Sequence, residues 1–233
     1  RQEADRHRGP ELGNCVSPKD VCLMIYLLGG PPRVGKSTIG RAITETHGIN
    51  VVSTDSLATI LENVLTPERE PGLFIVSRFN DLTPVDRMSM MVENTAERIR
   101  YQIEEGFAVW KAVKPFVLRE RDEGRDVVVE GVAVLPELVG QLESIGCQAV
   151  FIGNQGDEHK ENIKNSAGAN EHDWMRDASD EYVDAFATFV VQMSRYVEKE
   201  AHRYGFEYIG MDTRPFDGAV GAVVASLFKR PVA

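Results

Sequence analysis

A chain of 233 residues is long enough for one sizeable α/β domain or at most two small ones, and 42% hydrophobic content is ordinary for a protein that buries a core. Its 36 acids outnumber 26 Lys and Arg, giving a formal net charge of −10 that repels polyphosphate backbones and argues against a long nucleic acid as partner. Cys15, Cys22 and Cys147 are odd in number and lack metal spacing, and no apolar run reaches bilayer length, so the expectation is a cytoplasmic protein, monomeric or homodimeric, that engages no membrane and acts on a small molecule.

Residues 1–19 are polar and non-periodic, with Pro10 and Pro18, and read as a loose arm before one domain over 20–233. The run from Val21 to Gly29 is continuously apolar, as in a strand buried on both faces. Lys36 to His47 carries a helical stripe that stops at Gly48. Residues 50–53 form a short second strand, and Asp55 lies just past its end. Leu57, Ile60, Leu61, Val64 and Leu65 then repeat at helical spacing up to Thr66-Pro67. Residues 67–82 read as a loop. Thr83-Pro84-Val85-Asp86 has the composition of a helix start, with Thr at the N-cap and Pro next, and the stripe that follows runs to Gly106, which ends or bends it. A further helix spans about 107–123, bent at Pro115. Residues 126–131 give a third strand, 136–142 a short helix and 147–153 a fourth strand. Residues 154–177 are polar and show no period. A long helix carries Tyr182 to Tyr204, a fifth strand spans 206–210 and a last helix 217–228. Strands alternating with helices imply right-handed crossovers and a parallel sheet covered on both faces.

Gly30, Gly35, Lys36 and Ser37 satisfy the spacing G-x-x-x-x-G-K-[ST], between a buried strand and a helix. Backbone N–H groups at such a helix N-terminus can point at a polyphosphate. Pro31 and Pro32 carry no N–H, so the donors are Arg33, Val34, Gly35, Lys36, Ser37 and Thr38. Lys36 reaches the β and γ phosphates, and the Ser37 hydroxyl holds Mg²⁺. The bland alternative is a glycine-rich turn with an incidental lysine. A GTP switch would also need an N-K-x-D base reader and a D-x-x-G loop, and the sequence contains neither. A switch protein is thereby disfavoured, and the expected nucleotide is ATP or a close relative, with Mg²⁺.

GGPPRVGKST, VVSTDSL at the second strand and VVVEGVAVLPEL at the third together resemble the 2-phosphoglycerate kinase family of P-loop kinases, over roughly residues 22–215. The resemblance implies a three-layer P-loop sandwich with a five-stranded parallel sheet in the order 2-3-1-4-5. It implies a lid insert at about 154–177 and ATP-dependent phosphoryl transfer to a hydroxyl of a small anion such as 2-phosphoglycerate. A sugar nucleotide or an antibiotic-like alcohol is the other acceptor class. A catalytically weak nucleotide-binding module is the reading from a different class.

Asp55 is placed to take or orient the acceptor's hydroxyl proton, or else only to cap the helix beginning near Ser56. Glu130, at the C-terminal edge of the sheet, is a candidate for Mg²⁺, directly or through water, and for the acceptor; its bland reading is a surface charge. Arg78, Arg98, Lys111, Lys114 and Arg119 are the cations available to an anionic acceptor, Arg78 foremost and Lys111 and Lys114 next. From Gln155 to Asp184 there are nine acids against three bases, Lys160, Lys164 and Arg176, so Arg176 is the expected lid cation on the phosphates. The lid otherwise reads as an acidic solvated loop. Arg214, after the last strand, is expected beside the adenine. The five histidines, His159 among them, lack metal spacing and read as surface or capping residues.

Overall fold

The computed structural model describes residues 24–168, 171, 173 and 175–229. The expected N-terminal arm, Cys15, Cys22 and His172 lie outside them. Five parallel strands form the sheet: β1 Ile25–Gly29, β2 Asn50–Ser53, β3 Val127–Gly131, β4 Cys147–Gly153 and β5 Glu207–Gly210. Their order is β2-β3-β1-β4-β5. The sequence VVVEG makes β3 buried at every position, because β-branched residues fill a pleat covered on both faces. Leu27 and Leu28 of β1 point to opposite faces, and both are fully buried.

Nine α-helices lie among the described residues: α1 Lys36–His47, α2 Thr54–Val64, α3 Ile75–Asn80, α4 Pro84–Val92, α5 Thr95–Asp122, α6 Pro136–Val139, α7 His159–Gly168, α8 Asp180–Arg203 and α9 Phe216–Leu227. α1 and α9 pack on each other, α1 also touching β2 and β3 and α9 touching β4 and β5. α8 covers β4 and β5 and meets α4, α5 and α7, while α2 lies against α5 and β3. Helices thus cover both faces of the sheet. No helix among the described residues is long and apolar enough to cross a membrane.

Four local expectations are corrected. The segment 67–82 is not all loop: Pro71–Phe74 is a single 3-10 turn that buries Leu73, and Ile75–Asn80 is α3, which buries Phe79. The stripe after Thr83 is two helices, interrupted at Glu93-Asn94, because Thr83 caps one start and Asn94 opens the next. Gly106 neither ends nor separates a helix. α5 runs through it and through Pro115, and Gly106 is where α5 passes so close to Leu135 that a Cβ would sit 2.8 Å from its side chain. Finally, α7 occupies part of the insert, packed on α8 by the Lys164–Asp180 pair at 2.8 Å and the Lys160–Asp184 pair.

Candidate active site

Every strand delivers a chemistry-bearing residue to one place, just beyond the C-terminal edge of the sheet, where open α/β folds bind ligands. The loop after β1 enters α1, Ser53 and Asp55 follow from β2 and Glu130 closes β3. Asn154 follows β4, and Met211, Asp212 and Arg214 follow β5. All of these but Ser53, which stands behind Glu130, line a cleft of about 1130 Å³. Arg33, Val34, Gly35, Lys36, Ser37 and Thr38 form one wall, as the motif spacing predicts; Gly30 lies just upstream of that wall.

α1 alone among the described helices of nine residues or more has no acid in its first turn, and unlike α2, α4 and α8 it has no side-chain cap either; α5 and α9 lack the cap but carry Glu97 and Asp217. Ser53, Thr83 and Ser179 each cap a helix by accepting a backbone N–H, at the heads of α2, α4 and α8, and each of those helices has an acid in its first turn. α1 begins at Gly35 with no side-chain cap and no first-turn acid. Its first N–H groups and the positive end of its dipole therefore face the cleft. Gly35 has φ 100°, and a Cβ there would press to 2.9 Å from the Phe216 ring, so only glycine serves. Arg33 holds the left-handed region as well, at φ 64°, and its guanidinium forks onto Asp173, Nη1 donating to Oδ2 at 2.6 Å. That pair joins the P-loop to the insert, and it holds the Asp173 carboxyl below its usual range.

Lys36 is 8% exposed and its Nζ donates to the Pro31 carbonyl at 2.6 Å. Burial lowers its pKa, opposed by the nearby carboxylates of Glu130 and Asp55. Glu130 is 5% exposed, and burial raises its pKa against the pull of Lys36 and a hydrogen bond with Ser53. The register explains that last contact, since Ser53 pairs with Glu130 across β2 and β3. Glu130 is therefore not a surface charge. Asp55 lines the cleft from the first turn of α2, and the cap of that helix is Ser53, whose hydroxyl accepts the Asp55 N–H at 3.2 Å. The capping alternative for Asp55 is thereby excluded, and its carboxylate remains available to the cleft.

Of the expected cations only Arg33, Lys36 and Arg214 line this cleft. Arg78 is exposed on α3, and Lys111 is 66% exposed and pairs with Glu70 at 2.6 Å. Lys114 lies half-buried on α5, and Arg119 pairs with Glu123. Arg98 is buried between the rings of Phe79 and Phe189, at 4.6 and 4.5 Å, and holds α5 to α3 and α8. Arg176 is exposed in the insert, three residues from the cleft-lining Asp173.

The structure adds residues that the sequence reading passed over. His159 is 2% exposed and lines the cleft, not the surface, and burial pushes its pKa down to about 4. Phe216, 47% exposed, and Pro215 extend the wall beside Arg214. A single His without partners in spacing carries no sequence signal for such a position. Phe216 had one, being an aromatic at a helix start just after Arg214.

No family model matches the chain. Among curated proteins it is 30% identical over 119 residues to a 2-phosphoglycerate kinase of Pyrococcus horikoshii and 27% identical over 119 residues to one of Pyrococcus furiosus. Each match covers 50% of this chain and 37% of the relative's own length. Among solved structures, a gluconokinase from Sinorhizobium meliloti 1021 is 16% identical with a TM-score of 0.45, over 88% of this chain and 91% of that one. A shikimate kinase from Bacteroides thetaiotaomicron is 17% identical with a TM-score of 0.41, over 86% and 96%. The resemblance to 2-phosphoglycerate kinases carried by the strand-end motifs thus has counterparts among curated proteins, over half of this chain.

Proposed function

We propose that the chain is an ATP-dependent phosphotransferase with a small-molecule hydroxyl as acceptor. The observation that carries this is the uncapped start of α1, with buried Lys36, opening onto the same cleft as Asp55 and Glu130. A helix start left without cap or acid has orphan N–H groups that an anion satisfies. A buried ammonium whose pKa is lowered by desolvation is relieved by a polyphosphate in the same way.

The residues fit the nucleotide and its metal. Amides 33–38 and Lys36 would hold the phosphates, and Arg214 with Phe216 the base. Ser37 would hold Mg²⁺, with Glu130 on it directly or through water. When bound, the ion neutralises charge on the β and γ phosphates. Asp55 positions the acceptor hydroxyl and accepts its proton. The acceptor oxygen forms its bond to the γ-phosphorus as the bond to the bridging β–γ oxygen breaks, and ADP leaves. Lys36 and the α1 amides stabilise the charge that builds on the leaving oxygen. Arg176, carried by the insert, adds a cation when the insert closes and excludes water.

The resemblance also brings a 2-phosphoglycerate-like anion as acceptor, for which Arg78, Lys111 and Lys114 would be the binding cations. None of the three lines the cleft. The test is titration calorimetry with Mg·ATP, followed by phosphate transfer to a panel of small alcohols. Saturable Mg·ATP binding and a phosphorylated alcohol support the reading; absence of Mg·ATP binding removes it.

A further inference from the structure

A second cavity of about 190 Å³ adjoins the cleft, and Asp55 and Val132 line both. It has room for roughly six water volumes, the scale of a small polar molecule. Its polar lining residues come from α2 and α5: Thr54, Asp55, Thr59, Glu62 and Glu105. No Lys, Arg or His lines it.

Thr54 is 1% exposed, and its hydroxyl has no hydrogen-bond partner among the described residues. That oxygen lies over Gly131, where a Cβ would sit 1.7 Å from it, so Thr54 packs the head of α2 against the end of β3 beside the cavity. The Thr59 hydroxyl donates to the Asp55 carbonyl at 2.9 Å, which leaves its lone pairs to accept. Glu105 accepts from Gln102 Nε2 at 2.6 Å, and Arg98 stands behind Gln102, donating to its Oε1 at 3.3 Å. Even with Arg98 nearby, burial holds the Glu105 carboxyl up at about 7, with Asp55 and Glu62 adding to the rise. A phosphate or carboxylate placed here would meet three acids and no cation. A bare metal ion is not the occupant either, because among the described residues no three acids, histidines or cysteines converge closely enough to hold one.

From the shared lining of the two cavities, and from acids being the only ionisable groups on the walls of the smaller one, we infer that the acceptor is a small alcohol bearing a protonated amine, an amino alcohol or amino sugar. This rests on the kinase reading and changes the acceptor that the resemblance implies. The acceptor hydroxyl faces Asp55 where the cavities meet, and its ammonium donates to Glu62 and Glu105. A further hydroxyl, where the acceptor carries one, donates to the Thr59 oxygen. An ammonium beside Glu105 supplies the partner that its carboxylate lacks within the cavity. The transfer is the same: the alcohol oxygen bonds to the γ-phosphorus, ADP leaves and the hydroxyl proton passes to Asp55. The amine keeps its proton and is not phosphorylated.

The test compares matched probes with the full chain and Mg·ATP: glucosamine against glucose, ethanolamine against ethylene glycol, and 2-phosphoglycerate and gluconate as anions. An amine probe is expected to exceed its neutral match at least tenfold in kcat/KM. Glu62→Gln and Glu105→Gln are each expected to raise the KM for that amine roughly tenfold with a smaller change in kcat, and to leave the KM for the neutral match nearly unmoved. Glu62→Asp keeps the charge and is expected to retain the preference. Preferential phosphorylation of 2-phosphoglycerate, gluconate or a neutral probe overturns the inference and leaves the kinase reading standing. If no probe is phosphorylated, calorimetry of glucosamine and ethanolamine against protein saturated with a non-hydrolysable ATP analogue decides. Absence of amine-selective binding overturns the inference, and failure of the analogue itself to bind overturns the kinase reading beneath it.

Discussion

At the scale of single residues, the site is a set of ionisable groups held away from water. The Lys36 ammonium donates to a backbone carbonyl, so Lys36→Ala removes a point charge from the cleft and breaks no side-chain hydrogen bond to a carboxylate. The expected result is a folded protein with turnover reduced by roughly 10²–10³-fold or more, the usual loss for one preorganised donor. Circular dichroism and steady-state kinetics check the two halves of that statement. Glu105 and His159 make opposite demands on pH. The Glu105 pKa is raised from 4.5 to about 7, so the folded state holds the proton more tightly and stability falls as pH climbs through that window. The His159 pKa is lowered from 6.5 to about 4, so stability is lost as pH falls from 6.5 toward 4. Each effect is worth up to about 3 kcal/mol, and between pH 4.5 and 6.5 the two nearly cancel. Glu105→Gln is expected to show stability rising with pH from 4 to 6.5, and His159→Gln stability falling from 4.5 to 7. Urea unfolding across that range measures both; parallel profiles for the two variants would remove the assignment.

At the scale of elements, the insert and the helix pair around the small cavity divide the work. Lys160 and Lys164 hold α7 to the start of α8, and Asp173 holds Arg33. Among the described residues Arg176 forms no ion pair, so it is the insert cation that the proposed mechanism assigns to the phosphates. Arg176→Ala is expected to lower kcat by roughly 10²–10³-fold with little change in acceptor KM, the pattern of a contact made in the transition state. Arg78→Ala, at an exposed site on α3 that lines neither cavity, is expected to leave acceptor KM within about twofold. Steady-state kinetics with one acceptor checks both. These elements also show how far the sequence could be read. The P-loop was legible because strand, glycine turn and helix are local and contiguous, and so were the strands, whose apolar runs are short and bounded. The strand order was legible only through family resemblance, since nothing in a strand's own residues names its neighbour. α3 was missed because six residues are too few to show a period, and α7 because its sequence, HKENIKNSAG, buries only His159, Ile163 and Ala167. Arg98 looked like a ligand for an anion and is instead packed between two rings from α3 and α8. Whether a cation is solvated, stacked or catalytic is decided by elements distant in sequence.

At the scale of the whole molecule, nucleotide binding couples to folding, because a ligand held by the β1 loop, β3, the β5 loop and the insert binds the folded state alone. At 100 times its Kd, Mg·ATP is expected to add about 2.7 kcal/mol of stability. For a chain of this size that raises Tm by roughly 5–10 °C, and differential scanning fluorimetry against nucleotide concentration measures it. The acidic surface, with a net charge of −10, leaves the cleft's positive end as a local feature, formed by the α1 start, Lys36, Arg33 and Arg214. Asp55 is where this phosphate side and the acid-lined cavity meet, and transfer by the proposed route requires its carboxylate. The direct measurement is transfer of label from Mg·[γ-³²P]ATP to an alcohol acceptor by the wild type and by Asp55→Asn. The expected result is a labelled acceptor with the wild type, a kcat lower by roughly 10²–10⁴-fold in the variant, and an unchanged affinity for Mg·ATP. Equal transfer rates for the two proteins, or label released only as inorganic phosphate by the wild type across the alcohol panel, would contradict it.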